Sequence, residues 1–151
     1  MKEIFYQSAS GGSGGLYHYH LHSLKNEKIT ALPLPTQHYI KGKFIDEYKI
    51  RIQISPDHDP IIIDVTDRAN EYKQLNIYDK EGNLNKYTPA MIDPIAFFEP
   101  TLISRDKGYG LKSYQQINGA YHADQVGTIE TLWYFDHDRW IILKTKWVQS
   151  R

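Results

Sequence analysis

Apolar and polar residues alternate along much of this chain, and that period of two predicts strands. Residues 3–7 form a short candidate, closed by the Gly-rich run Ser10-Gly-Gly-Ser-Gly-Gly15. Residues 16–24 alternate strictly: Leu16, His18, His20 and His22 share one face, and Tyr17, Tyr19, Leu21 and Ser23 share the other. Asn26-Glu27-Lys28 reads as a turn, and Pro33 and Pro35 hold the next segment at an edge or outside a sheet. Residues 38–55 read as one long β region with a wet face at Lys49, Arg51 and Gln53, bent or bulged at Gly42. The turn Pro56-Asp-His-Asp-Pro60 joins it to residues 61–65, which are continuously apolar as far as Ile63 and read as a central strand.

The period changes over residues 67–75, where Asp67 is placed to cap a short helix. Residues 78–83 form a tight turn with Gly82 supplying a positive φ. Pro89, Pro94 and Pro100 punctuate residues 91–98, which read as irregular or as short strands. A strand follows at 109–117 and a loop at 119–126. A hairpin then pairs residues 128–135 with 139–148 about the turn Asp136-His137-Asp138. The expected fold is mainly β and antiparallel, roughly eight to ten strands with one short helix, forming a single domain over residues 1–151. A sandwich, an open barrel and a propeller-like fragment all satisfy this pattern.

Composition narrows the functions. Eighteen basic and eighteen acidic residues cancel, without a block of one sign, so nucleic acid is not an expected partner. No apolar run approaches the roughly 20 residues of a transmembrane helix. There is no cysteine, which excludes disulfides, thiolate metal sites and thiol catalysis. Aromatic residues make up 13%, and 12 of them are tyrosine, a side chain suited to half-buried sheet faces. The first ten residues lack a signal-peptide core. Either the protein is cytoplasmic, or a signal segment is missing from this chain and it is secreted or lipid-anchored.

Several short motifs invite a chemical reading. The Ser/Gly run precedes a strand, whereas a phosphate loop requires a helix there. It reads as a turn, with an engineered linker as the other reading. His18, His20 and His22 stand about 7 Å apart along one strand face, a spacing from which neighbouring imidazoles reach a shared zinc or copper ion. Three on one strand need a further ligand from elsewhere, and His38, His58, His122, Asp124 and Glu130 are the candidates. The plainer reading is a half-exposed strand face that tolerates histidine. His122 and Asp124 suggest an acid/base pair, but no nucleophile in a strand–turn–helix setting accompanies them. No catalytic constellation assembles, and no cofactor is firmly implied.

The segment from Phe98 to Leu111, with Asp106-Lys-Gly108 at its turn, resembles the blades of FG-GAP/VCBS-type secreted proteins and lipoproteins of Gram-positive bacteria, a β-propeller-related group. The resemblance continues through Tyr114-Gln-Gln-Ile117-Asn-Gly119 and Ala120-Tyr-His-Ala-Asp124-Gln-Val-Gly127 to the closing Trp133-Tyr-Phe-Asp-His-Asp-Arg-Trp140. It covers about half the chain. The calcium loop of that group needs several alternating Asp or Asn oxygens. Here Asp106 alone remains, so the resemblance does not carry calcium binding with it. It implies a non-enzymatic extracytoplasmic binding or envelope-associated domain, with a cell-envelope component or a protein as partner. Tyr17, Tyr19, Trp133 and Trp140 are the candidate ligand surface. The alternatives are a metal-binding protein, carrier or metal-dependent hydrolase, built on His18, His20 and His22, and a lipocalin-like barrel for a small ligand.

Overall fold

The computed structural model describes residues 2–9, 17–25, 28–37 and 39–150. The Ser/Gly run and most of the turn at Asn26 lie outside the described residues. Ten strands are present among the described residues: β1 Lys2–Ala9, β2 Tyr17–Lys25, β3 Lys28–Ala31, β4 Lys41–Ile45, β5 Lys49–Gln53, β6 Ile61–Asp64, β7 Met91–Ser104, β8 Gly108–Asn118, β9 Gln125–Asp136 and β10 Arg139–Gln149. A 3-10 turn, Thr66–Arg68, leads into the one short helix, α1, Ala69–Gln74. The strands form three sheets, ordered β1-β2-β3, β4-β5-β6 and β10-β9-β8-β7. Each is a meander of consecutive strands on connections too short for a parallel crossover, so each is antiparallel. The fold is therefore mainly β, as the alternation predicts. Each sheet has two edge strands, so none of them closes into the barrel that a lipocalin-like cavity needs. No helix among the described residues is long and apolar enough to cross a membrane.

The described residues fall into two compact units. One takes residues 37–92 and 117–126. Its core is set by the alternation of β4 and β5, which pair Phe44 with Ile50 and Gly42 with Ile52. Phe44, Ile50 and Ile52 are buried together with Ile63, Tyr72 and Tyr78. The Phe44 ring meets Tyr72 and Tyr78 edge-on, at centroid distances of 5.0 and 6.2 Å. The Tyr78 hydroxyl donates to the carbonyl of Ile45 at 2.5 Å, tying the centre of this core to the β4–β5 turn.

The long β region expected over residues 38–55 contains a hairpin, turned at Asp46-Glu47-Tyr48 with φ of 66° at Glu47 and 58° at Tyr48. Neither is a residue that advertises a positive φ, so the pattern hides the turn. Gly42 makes no bulge, because the register runs unbroken through it. A Cβ there would lie 2.8 Å from Ile52 Cδ1 and 3.1 Å from Ala90 Cβ, so glycine permits close packing. β6 is an edge strand and β5 the central one, which leaves Ile62 49% exposed despite its apolar neighbours. Asp67 sits within the 3-10 turn and does not cap α1 through its side chain. α1 ends instead in a left-handed residue, Asn76 at φ 60°. The N–H groups of Asn76 and Ile77 donate to the carbonyls of Lys73 and Tyr72, a Schellman closure.

The other unit takes residues 1–36, 93–116 and 127–151. Leu21, Ile95, Phe98 and Leu111 are its buried cluster, and Phe5, Leu32, Leu34 and Trp140 pack around them. The segment 91–98 is not irregular: β7 runs unbroken for 14 residues through both Pro94 and Pro100. β10 contains a bulge, because Ile142 pairs with Trp133 while Lys144 pairs with Leu132, leaving Leu143 unpaired.

Candidate binding groove

The second unit carries a concave groove of about 650 Å³. Its walls come from six stretches of chain: Phe5 of β1, Leu21 of β2, Leu32, Pro100 of β7, residues 107–111 leading into β8, and Tyr134, Phe135 and Trp140 around the β9–β10 turn. Each arrives for a local reason. Leu21 and Phe5 are cross-strand partners, so they share one face of β1–β2. The Leu32 N–H donates to the Leu21 carbonyl at 2.9 Å, which lays residues 32–34 alongside β2. Phe135 and Trp140 are partners across the β9–β10 hairpin, with ring centroids 5.1 Å apart. The Trp140 indole N–H donates to the Pro33 carbonyl at 2.7 Å, which fixes the ring in place. Gly110 keeps the floor open to β9, since a Cβ there would fall 2.2 Å from the Trp133 carbonyl oxygen.

The groove is apolar with few polar groups. Tyr109 stands 69% exposed at its margin. The Lys107 ammonium lies 4.9 Å from the centre of the Tyr134 ring, a cation–π contact. No carboxylate or imidazole lines the groove among the described residues.

The structure separates the residues singled out in the sequence. Trp140 is in the groove wall. Trp133 is not a ligand surface: it is only 4% exposed, and its indole N–H donates to Ser113 Oγ at 2.8 Å. Tyr17, Tyr19, His18, His20 and His22 occupy successive positions of β2, opposite Ala9, Gln7, Ser8, Tyr6 and Ile4 of β1. Their side chains lie outside the described residues, as does His38. Asp106 sits in the β7–β8 hairpin turn, where the Lys107 N–H donates to Ser104 Oγ at 3.0 Å. Among the described residues no three His, Cys, Asp or Glu side chains come together in a way that would hold a metal ion.

The one acid buried among the described residues belongs to the unit of residues 37–92 and 117–126. Asp124 Oδ1 accepts Arg68 Nη1 at 2.6 Å, and Oδ2 accepts the Tyr72 hydroxyl at 2.6 Å and the Ala120 N–H at 2.8 Å. Burial and the bond to Asp124 push the Tyr72 phenol well above its ordinary range. Tyr121, in the same loop, donates its hydroxyl to Glu71 of α1. His122, which the sequence suggested beside Asp124 as an acid/base pair, is exposed. The carboxylate is thus engaged by a guanidinium, a phenol and a backbone amide, an arrangement that clamps the 119–124 loop to α1.

Trp140 is the one groove residue that the sequence singled out; the rest of the wall, including Phe5, Leu21, Tyr109, Leu111 and Phe135, was missed. The one signal available was the Phe135–Trp140 pair, which follows from the hairpin register once the turn is placed.

Comparison with known proteins gives a family and no activity. The uncharacterized protein YybI of Bacillus subtilis (strain 168) is 27% identical to this chain over 128 residues. The aligned part covers 82% of this chain and 48% of that protein, so the chain spans about half the length of this relative. No solved structure matches this chain significantly. Residues 38–148 match the YybI C-terminal domain, and the chain belongs to that family.

Proposed function

We propose that this chain is a non-enzymatic binding domain of an extracytoplasmic, envelope-associated protein of a Gram-positive bacterium, and that its groove receives an apolar segment of a partner polypeptide. The groove around Trp140 carries this reading. It has the size and lining of a ligand site, about 650 Å³ of mostly aliphatic and aromatic wall. A sugar would need converging hydrogen-bonding groups, whereas Phe5, Leu21, Leu32, Leu111 and Phe135 offer carbon. The absence of carboxylate and imidazole from its described walls favours holding over transforming. The likeness to FG-GAP/VCBS-type blades belongs to the same proposal. Its support is the sequential four-stranded meander β7–β10, the strand plan of a propeller blade. The Bacillus relative supports a Gram-positive source.

The test is site-specific photocrosslinking of the full-length protein in its native host. Benzoyl-phenylalanine at Tyr109 is expected to give one discrete adduct, lost when Phe135→Asp, at a half-buried wall position, closes the groove to apolar groups. The same label at Leu75, exposed in the other unit, is expected to give none. Absence of an adduct at Tyr109, or an equal one from Leu75, sinks the binding reading. Recovery of the adduct from the cytosol alone sinks the placement outside the cytoplasm.

A further inference from the structure

Alternation in β4 and β5 settles two faces. The inward face holds Phe44, Ile50 and Ile52, none more than 1% exposed. The outward face holds Lys41 opposite Gln53 and Lys43 opposite Arg51. Two cations directly across a strand pair repel, and sheets ordinarily relieve this with a carboxylate. Elsewhere in this chain strand lysines have a carboxylate at hand: Lys112 meets Glu130 at 3.8 Å, and Lys49 meets Glu47 at 3.4 Å. Lys43 and Arg51 have no such relief among the described residues. On its other side Arg51 faces Ile62. The acid of β6, Asp64, lies opposite Lys49, and its Oδ1 accepts both the N–H and the hydroxyl of Thr66.

The cations line a depression of about 520 Å³, walled also by Tyr39 and Tyr87 and free of carboxylates among the described residues. Asp57 and Asp59, in the neighbouring turn, do not line it. Tyr87 is held there by the chain that follows it. The Phe44 N–H donates to Thr88 O, and the Ala90 N–H donates to Gly42 O, both at 2.9 Å, which zips residues 88–90 to the free edge of β4. Its ring is nonetheless 72% exposed. On the other side, the Lys41 ammonium rests 5.5 Å from the centre of the Tyr39 ring.

We propose that this outward face of β4–β5 is a binding site for a phosphorylated small molecule. The phosphoryl group lies between Lys43 and Arg51, and the organic part packs on the exposed Tyr87. The guanidinium presents a planar fork to two phosphoryl oxygens and the ammonium a point charge to a third. A dianion supplies the relief that the sheet lacks, and an unrelieved local conflict of this kind marks a functional surface. The volume falls within the range of small-molecule sites. This site is independent of the groove around Trp140.

The experiment titrates the full chain with inorganic phosphate and with phenyl phosphate, followed by calorimetry and amide chemical shifts. Phenyl phosphate is expected to bind at one site, about tenfold more tightly than phosphate, with shifts centred on β4 and β5. Arg51→Gln is expected to weaken it by about tenfold or more. The same variant keeps or raises the ligand-free melting temperature, because a repulsion is removed. Tyr87→Ala is expected to abolish the preference for the phenyl group and leave phosphate binding. Lys43→Gln serves if Arg51→Gln does not fold. No saturable binding at millimolar phenyl phosphate overturns the proposal. So does equal affinity in the charge variant, or binding of a single-stranded oligonucleotide where phenyl phosphate fails.

Discussion

Asp124 shows what one residue contributes here. Its carboxylate is 4% exposed and answers three donors, one of them the Arg68 guanidinium, which also donates to the Gln125 carbonyl at 2.8 Å. Removing one partner of a buried ion pair strands the other, at a cost of about 3–5 kcal/mol. Asp124→Ala is expected to lose that much in urea unfolding, and a loss below about 1 kcal/mol would show the clamp to be a bystander. Gly119 belongs to the same device, since a Cβ there would lie 2.3 Å from Asp124 Oδ2 and 2.6 Å from the Tyr72 hydroxyl. In the sequence Asp124 stood beside His122 and suggested acid/base work. Its side-chain partners lie 56 and 52 positions away, in the 3-10 turn and in α1, and nothing local announces them.

At the scale of the element, alternation was a sound guide to strands and a poor one to where they stop. The β4–β5 turn was invisible because Glu47 and Tyr48 take positive φ without glycine or asparagine. β7 was broken on paper by Pro94 and Pro100, yet it is the outer strand of its sheet, where a missing N–H costs no ladder bond. The β9–β10 turn was placed correctly but one residue too long. Asp136 already pairs with Arg139, leaving His137 and Asp138 at φ 49° and 66°. This is the two-residue turn for which Asn-Gly is best suited. Replacing His137 by Asn and Asp138 by Gly together is expected to stabilise the protein by about 1 kcal/mol, raising Tm by about 2–4 °C. The contact between His137 and Asp136 that this removes is 91% exposed on the histidine side and contributes little. A fall in Tm would show that the turn is held by something other than its own backbone.

For the whole molecule, tyrosine sets the response to alkali. Burial pushes the Tyr78 phenol up to about 12, and Tyr72 is raised further. A proton held more tightly in the folded chain stabilises it fully below the unfolded value of about 10, and that stabilisation is lost as pH rises through the folded value. Thermal stability is therefore expected to fall steeply between about pH 10 and 12. Tyr78→Phe is expected to flatten that fall, while costing about 1 kcal/mol at neutral pH through the lost bond to Ile45. An unchanged alkaline slope would place the titrating groups elsewhere. Strand pattern and aromatic content made the fold class legible, because both are properties of neighbouring residues. The groove was not legible, because its walls come from residues as far apart as Phe5 and Trp140. The cationic face of β4–β5 lay in plain sight at Lys41, Lys43 and Arg51, but it became a site only once the hidden turn set those residues opposite one another.

The bulge at Leu143 has a consequence for how β10 is oriented. Before it, the even-numbered Trp140 and Ile142 lie beside Phe135 and Trp133. After it, the odd-numbered Thr145 and Trp147 lie beside Thr131 and Ile129. The strand changes parity, and by doing so it keeps both indoles on one side of the sheet although an odd number of positions separates them. Its first half takes its facing from the turn at His137, and its second half from its pairing with the start of β9, where Trp147 lies against Gly127. Each half is thus counted from its own end. Position 143 is where the two counts meet, and there the chain's length changes by one without turning either half over.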